Sequence, residues 1–217
     1  MQAAKFSESR IEKMDLARWR QLMIQWKAPE CDEFYSKLLA AYSEPHRRYH
    51  TTRHIDDCLE QFDKVSSFAD APEEVELVLW FHDAVYKPRS FENELKSAEW
   101  AARFLRFIGI AGQRMERVYQ SILATKHAED AVLHDAVLVV DIDLSILGSD
   151  PEKFKSYEQA IRKEYKWVPR ALYCRKRIEL LRSFLDRPTI YGTEHFQDRY
   201  ETPARENLRW AIQNLRE

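Results

Sequence analysis

Leu138-Val139-Val140-Asp141-Ile142-Asp143-Leu144-Ser145-Ile146-Leu147-Gly148 is the stretch on which the fold class turns. It is rich in β-branched residues and alternates apolar with polar, so taken alone it reads as a strand. A strand needs a sheet, and sheets with tight turns consume glycine, which adopts φ > 0 at low cost. The 217 residues hold only four glycines, Gly109, Gly112, Gly148 and Gly192, against a typical ~7%. A β-sandwich, a β-barrel and a glycine-loop dinucleotide fold are therefore disfavoured. Neither G-x-G-x-x-G nor G-x-x-x-x-G-K can be assembled from these four. The scarcity tips the aspartate segment towards helix, with Gly148 as the residue that ends it.

Outward from this stretch the apolar period is helical. Ile11, Met14, Leu16, Trp19, Leu22, Met23 and Trp26 mark a first amphipathic helix. Tyr35, Leu38, Leu39 and Tyr42 mark a second, and Ile55, Cys58, Leu59, Phe62 and Val65 a third. Pro72 suits a first helical turn, and Glu73 and Glu74 favour the N-terminus behind it. That fourth helix is expected to run through Val75, Val78, Leu79 and His82 until Lys87-Pro88 stops it. Glu92 to Phe107 reads as a fifth, ended by Gly109, and Arg114 to Lys126 as a sixth. Asp150-Pro151, Pro169 and Thr202-Pro203 each open a further helix. The last carries Leu208, Ala211, Ile212 and Leu215 on one face. With no repeat and no low-complexity linker, the expectation is an all-α fold, a single domain over residues 1–217 built as a bundle of eight to ten helices.

Composition narrows the class. No apolar run approaches the ~18 residues of a membrane span. Hydrophobic residues make up 45% and aromatics 12%, which excludes a disordered chain. The formal net charge is −2, so no basic field indicates a nucleic-acid partner. Cys31, Cys58 and Cys174 are odd in number and widely spaced, and none forms C-x-x-C. That pattern points to reduced thiols rather than to a disulfide frame or a cysteine zinc site. With no apolar segment behind Met1-Gln2-Ala3-Ala4-Lys5, a cytoplasmic protein is expected.

Three places carry residues suited to chemistry. His50 and His54 stand at i, i+4, which on a helix puts both rings on one face; a solvated or capping pair is the competing assignment. His82-Asp83 interrupts the nearly continuous apolar run from Leu77 to Tyr86. A buried carboxylate there needs a cation or strong donors. Asp141 and Asp143 compete for the third place. On a helix Asp143 has Val139, Val140, Ile146 and Leu147 as its neighbours, so it is preferred as the inward residue, while Asp141 also meets the polar Ser145. Two imidazoles and two carboxylates from three helices make an octahedral site for Mn²⁺, Fe²⁺, Mg²⁺ or Zn²⁺. Such an ion lowers the pKa of a bound water and polarises a phosphoryl oxygen.

His54, the tandem His82-Asp83 and then Asp143 resemble the H…HD…D signature of the HD superfamily of metal-dependent phosphohydrolases. The likeness extends over roughly residues 10 to 217. It includes YSEPHRRYHTTRHI at 42–55, WFHDAVY at 80–86, Asn93-Glu94, Ser97-Ala98, ATKH at 124–127, DIDLSILG at 141–148, Ile190-Tyr191 and AREN at 204–207. These pieces resemble the bacterial subfamily described as predicted metal-dependent HD phosphohydrolases. The resemblance implies an all-helical domain with one or two divalent ions per site held by His54, His82, Asp83 and Asp143. It also implies hydrolysis of a phosphate ester in a small, nucleotide-like substrate. Tyr49-His50-x-x-x-His54 is further similar to the H-N-x-x-H-A motif of cyclic nucleotide phosphodiesterases, distant HD relatives. That likeness makes His50 the candidate general acid, although Thr51 and Ile55 depart from the motif.

Around these lie weaker candidates. His127 could take a second metal or a phosphate oxygen, or simply sit at a helix C-terminus. Glu94 could act as a base or as an ordinary first-turn glutamate, and Asp143 could orient the attacking water. Arg47, Arg48, Lys87 and Lys126 flank the motif residues and could clamp phosphate; each is also an ordinary surface charge. His46, His134 and His195 read as surface residues, and the six tryptophans as helix-packing residues. Two other functions fit the same residues. One is a non-catalytic HD module that senses a nucleotide. The other follows from a loose resemblance of VLVVDIDLSILG to the D-x-D-x-[ST] of haloacid-dehalogenase-like phosphatases. It would make Asp141 the nucleophile and requires a parallel α/β fold. The homo-oligomeric state stays open.

Overall fold

The computed structural model describes residues 14–127 and 131–216. They form ten α-helices and no strand. In chain order these are α1 (Leu16–Gln25), α2 (Asp32–Tyr42), α3 (Thr52–Val65), α4 (Pro72–Phe81), α5 (Asn93–Phe107), α6 (Gln113–Ala124), α7 (His134–Leu144), α8 (Pro151–Glu164), α9 (Arg170–Leu185) and α10 (Glu194–Asn214). Short 3-10 turns follow α3 at Ser66–Phe68 and α7 at Ser145–Gly148. Ile11, placed in the first helix above, lies outside the described residues.

The centre of the bundle is α4. Every residue from Glu74 to Phe81 is buried, as expected of a helix that is apolar nearly all round. It packs against α1, α3, α5, α6 and α7. Its two buried glutamates are paired: Glu74 with Arg114 and Arg117 at 2.7–2.9 Å, and Glu76 with Arg18 at 2.8 Å. The helix ends at Phe81 rather than at Lys87, with His82 as its C-cap. Turns therefore carry Asp83 and Ala84, and the Arg47 guanidinium accounts for them. It donates to the carbonyls of Asp83 and Ala84 at 2.8 and 3.0 Å, partners the chain would otherwise find by continuing the helix.

The aspartate stretch is helical. Ala136, Leu138, Val139, Ile142 and Leu144 of α7 are buried against α3, α4 and α6, so tertiary burial overrides the strand propensity of its valines and isoleucine. Gly148 ends the following 3-10 turn. A Cβ there would lie 2.6 Å from the Tyr200 carbonyl oxygen, so glycine lets the α10 backbone come this close. Asn207 pins the same turn through the Leu147 and Ser149 carbonyls at 2.8 and 2.9 Å.

The last helix begins earlier than Thr202-Pro203 indicates. It starts at Glu194 and keeps Pro203 in its interior. An internal proline costs about 3 kcal/mol. Burial of Phe196, Tyr200, Ala204, Leu208, Ala211 and Ile212 along α10 outweighs that cost. No described helix is long and apolar enough to cross a membrane, and all three cysteines are free.

Candidate metal centre

Three segments converge beside the C-terminal end of α4. His54 comes from the first turn of α3, His82-Asp83 from the end of α4, and Asp143 from the last turn of α7. The Nε2 atoms of His54 and His82 are 3.1 Å apart. Asp83 Oδ2 lies 3.5 and 3.4 Å from these two nitrogens, and Asp143 Oδ1 lies 3.2 and 3.7 Å from them. Two donors bound ~2.1 Å from one ion are about 3.0 Å apart at an octahedral edge and about 3.4 Å at a tetrahedral one. The observed separations match the edges of one coordination polyhedron.

Hydrogen bonding fixes what these atoms offer. His82 Nδ1 lies 3.0 Å from the Leu79 carbonyl oxygen, which can only accept, so Nδ1 carries the proton and a neutral His82 presents a lone pair at Nε2. The carboxylates are acceptors too. The Nε2 lone pair of His82 thus faces carboxylate acceptors in a buried space, which requires a proton or a cation among them. Without a cation, protons serve: burial disfavours charge on both imidazoles, but Cys58 and Tyr49, followed by the bonds to Asp143 and Asp83, hold His54 above the usual range, and Asp83 and Asp143 do the same for His82. Burial likewise pushes Asp83 and Asp143 up, and the surrounding imidazoles outweigh it and hold both below the usual carboxylate range. The donor set and its spacing fit a divalent ion.

His127 joins from the far side of Asp143. Its Nε2 is 3.1 Å from Asp143 Oδ2, so the two oxygens of Asp143 face different imidazoles. His127 has φ 55°, a left-handed conformation uncommon outside glycine. Arg187 bonds its carbonyl at 2.8 Å. The Nδ1 of His127 is buried without a hydrogen-bond partner among the described residues.

His50 is not on the same helix as His54. Thr51 is the N-cap of α3, so His50 precedes it. What brings the rings to 6.0 Å is Glu164, the last residue of α8. Its Oε1 accepts from the backbone N–H groups of Arg48, Tyr49 and His50 at 2.7, 2.8 and 3.2 Å. Its Oε2 accepts from His50 Nδ1 and from the Tyr86 hydroxyl, both at 2.8 Å. Burial pushes Glu164 up, but the His50 bond and the backbone donors overcome it and hold the carboxyl down at about 2. With Nδ1 engaged, Nε2 of His50 is the nitrogen left to exchange a proton. The ring stacks on Tyr86 at 4.0 Å.

The other candidates separate clearly. Asp141 is fully buried and faces away from the imidazoles. It accepts from the Gly192 and Thr193 N–H groups at 2.8 Å and the Thr193 hydroxyl at 2.6 Å. It anchors the entry to α10 and is neither a ligand of this centre nor an accessible nucleophile; the parallel sheet that such a nucleophile requires is also absent among the described residues. Arg47 is 2% exposed and no phosphate clamp. Besides Asp83 and Ala84 it bonds the His50 carbonyl at 3.0 Å and Glu44 at 3.1 Å, so it sets the backbone of two site residues. Arg48, Lys87 and Lys126 are exposed cations. Glu94, half-buried in the first turn of α5, makes no hydrogen bond or ion pair with the cluster. Of the tryptophans, Trp167 is 47% exposed, with the Arg89 guanidinium 4.5 Å from its ring, and is not a core-packing residue.

Two site residues escaped the sequence reading. Glu164 left a signal: a glutamate ending a helix opposes the macrodipole and needs a compensating partner. Cys58 left one too, since it stands one turn after His54. His54, Cys58, His82 and Asp143 each offer a ligand-type atom, all within 4.8 Å of one another. No family model matches this chain, and neither a curated protein nor a solved structure matches it.

Proposed function

We propose that this chain is a metal-dependent phosphohydrolase of the HD type, acting on a phosphate ester of a small, nucleotide-like substrate. The observation that carries this is the meeting of the His54 and His82 Nε2 atoms, 3.1 Å apart, with an oxygen of Asp83 and one of Asp143 each 3.2–3.7 Å from both. The H…HD…D resemblance supports the same assignment. A divalent ion held by these four residues supplies an acidified water and a polarised phosphoryl oxygen.

The chain's own residues do the rest. The Leu79 carbonyl holds the His82 ring so that Nε2 faces the centre. Asp143 faces His54 and His82 through one oxygen and His127 through the other, which suits it to orient the attacking water. Glu164 fixes His50 with Nδ1 occupied, leaving Nε2 to protonate the departing oxygen. Arg48, Lys87 and Lys126 supply exposed positive charge for the phosphate, and His127 is the residue for a second ion.

The test is metal analysis of the purified protein together with phosphate release from monoesters, cyclic nucleotides and nucleoside polyphosphates, each with Mn²⁺, Fe²⁺, Mg²⁺ and Zn²⁺. Hydrolysis that His82→Ala and Asp83→Ala abolish is expected. Full activity in those variants would contradict the site. Tight nucleotide binding with no turnover under any metal would favour a sensor module.

A further inference from the structure

We propose that Cys58 is a sulfur ligand of this centre, so that it selects a borderline-soft divalent cation such as Zn²⁺, Fe²⁺ or Co²⁺ over Mg²⁺ and Mn²⁺. The proposal rests on the metal-centre reading above and deepens it.

His54 and Cys58 stand at i, i+4 on α3, which puts them on one face. Each is 3% exposed. Cys58 Sγ lies 3.8 Å from both ring nitrogens of His54. It also lies within 4.8 Å of the His82 and Asp143 donor atoms. A sulfur at ~2.3 Å and a nitrogen at ~2.1 Å from one ion are about 3.1 Å apart at right angles, about 3.6 Å at a tetrahedral edge and about 4.4 Å when opposed. The 3.8 Å between Cys58 Sγ and His54 Nε2 thus falls within the range that two donors of one ion span. Asp83 touches both imidazoles as well, so the set is two nitrogens, two carboxylates and one sulfur. On binding, the sulfur–metal bond forms as the S–H bond breaks, and its proton leaves to solvent with no change of oxidation state. A soft donor among hard ones moves the preference away from Mg²⁺ and Mn²⁺, which oxygen-only sites favour. The alternative is an inert core thiol filling the apolar stripe of α3.

The two are separated by spectroscopy of the full chain freed of metal and loaded with Co²⁺. A thiolate ligand gives a sulfur-to-cobalt charge-transfer band in the near ultraviolet, beside the visible d–d bands of the bound ion. Cys58→Ser should lose the near-ultraviolet band and keep the d–d bands, and its Zn²⁺-over-Mn²⁺ preference should fall at least about tenfold. Should the serine variant fail to fold, Cys58→Ala replaces it, and the wild-type spectrum decides by itself whether any sulfur is bound. Bound cobalt with d–d bands and no charge-transfer band overturns the proposal, as does a band that survives the loss of Cys58. No cobalt uptake at all overturns the metal-centre reading beneath it.

Discussion

Asp141 and Asp143 leave α7 two residues apart, which on a helix turns their side chains ~200° from one another. Asp141 meets hydrogen-bond donors that belong to the chain: two backbone N–H groups and a hydroxyl, all at the mouth of α10. Burial pushes its carboxyl up, partly offset by those donors. Asp143 meets His54, His82 and His127, and its carboxyl is held down by them against burial. One carboxylate is satisfied by the fold. The other faces three imidazoles, of which neutral His82 is an acceptor at Nε2, and so calls for a proton or a cation at that position. Glu74 and Glu76, matched by arginines on neighbouring helices, belong with Asp141.

This contrast can be broken by experiment, and the largest effect falls on Asp143. Loss of a residue outside the ligand set of a metal site costs 10–100-fold in affinity, so removing a direct ligand should cost more, about 10³-fold for Asp143→Ala. Titration calorimetry with Zn²⁺ or Mn²⁺ checks it, and unchanged affinity would remove Asp143 from the site. Asp141→Ala should behave inversely. It strands three donors at the start of α10, so chemical denaturation should show a loss of about 3 kcal/mol with metal stoichiometry preserved.

A binding partner for the folded state alone stabilises it by about 2.7 kcal/mol at a free concentration 100 times its dissociation constant. For a chain of this size that raises Tm by roughly 5–10 °C. Wild-type protein should show the shift on adding the ion and Asp143→Ala should not.

The smallest effect concerns Glu164. Its carboxyl titrates at about 2 in the folded protein against 4.5 for an ordinary glutamate. The stability it contributes is present above pH 4.5 and is lost as pH falls from 4.5 towards 2. Glu164→Gln should flatten that part of the acid-unfolding profile. It should also lower kcat by about 10–100-fold with KM little changed. A kcat identical to wild type would make Glu164 purely structural.

What was legible in the chain follows the range of each interaction. The apolar neighbours three and four positions away make Asp143 the expected inward residue, but Asp141 is the fully buried one and Asp143 only half-buried; what sets Asp143 apart is the imidazoles it faces, which come from other segments. His82-Asp83 stood out because two polar residues interrupt an apolar helix. Pro72, Asp150-Pro151 and Pro169 open helices as their local chemistry dictates. Partners distant in sequence were invisible. Glu164 lies 114 residues from His50, and Arg47 reads as a surface charge until its guanidinium is seen bridging the Asp83 and His50 carbonyls. Pro203 misled because a local helix breaker was outweighed by the packing of α10.

The central claim is that His54, His82, Asp83 and Asp143 surround an ion. Anomalous scattering from crystals of protein purified without chelator, collected on both sides of the absorption edge of the metal found by elemental analysis, tests it most directly. A peak between the Nε2 atoms of His54 and His82, within bonding distance of both and of an Asp143 oxygen, is the predicted result. A metal-containing crystal with its anomalous peak elsewhere, and these imidazoles bonded only to carboxylates, would contradict it.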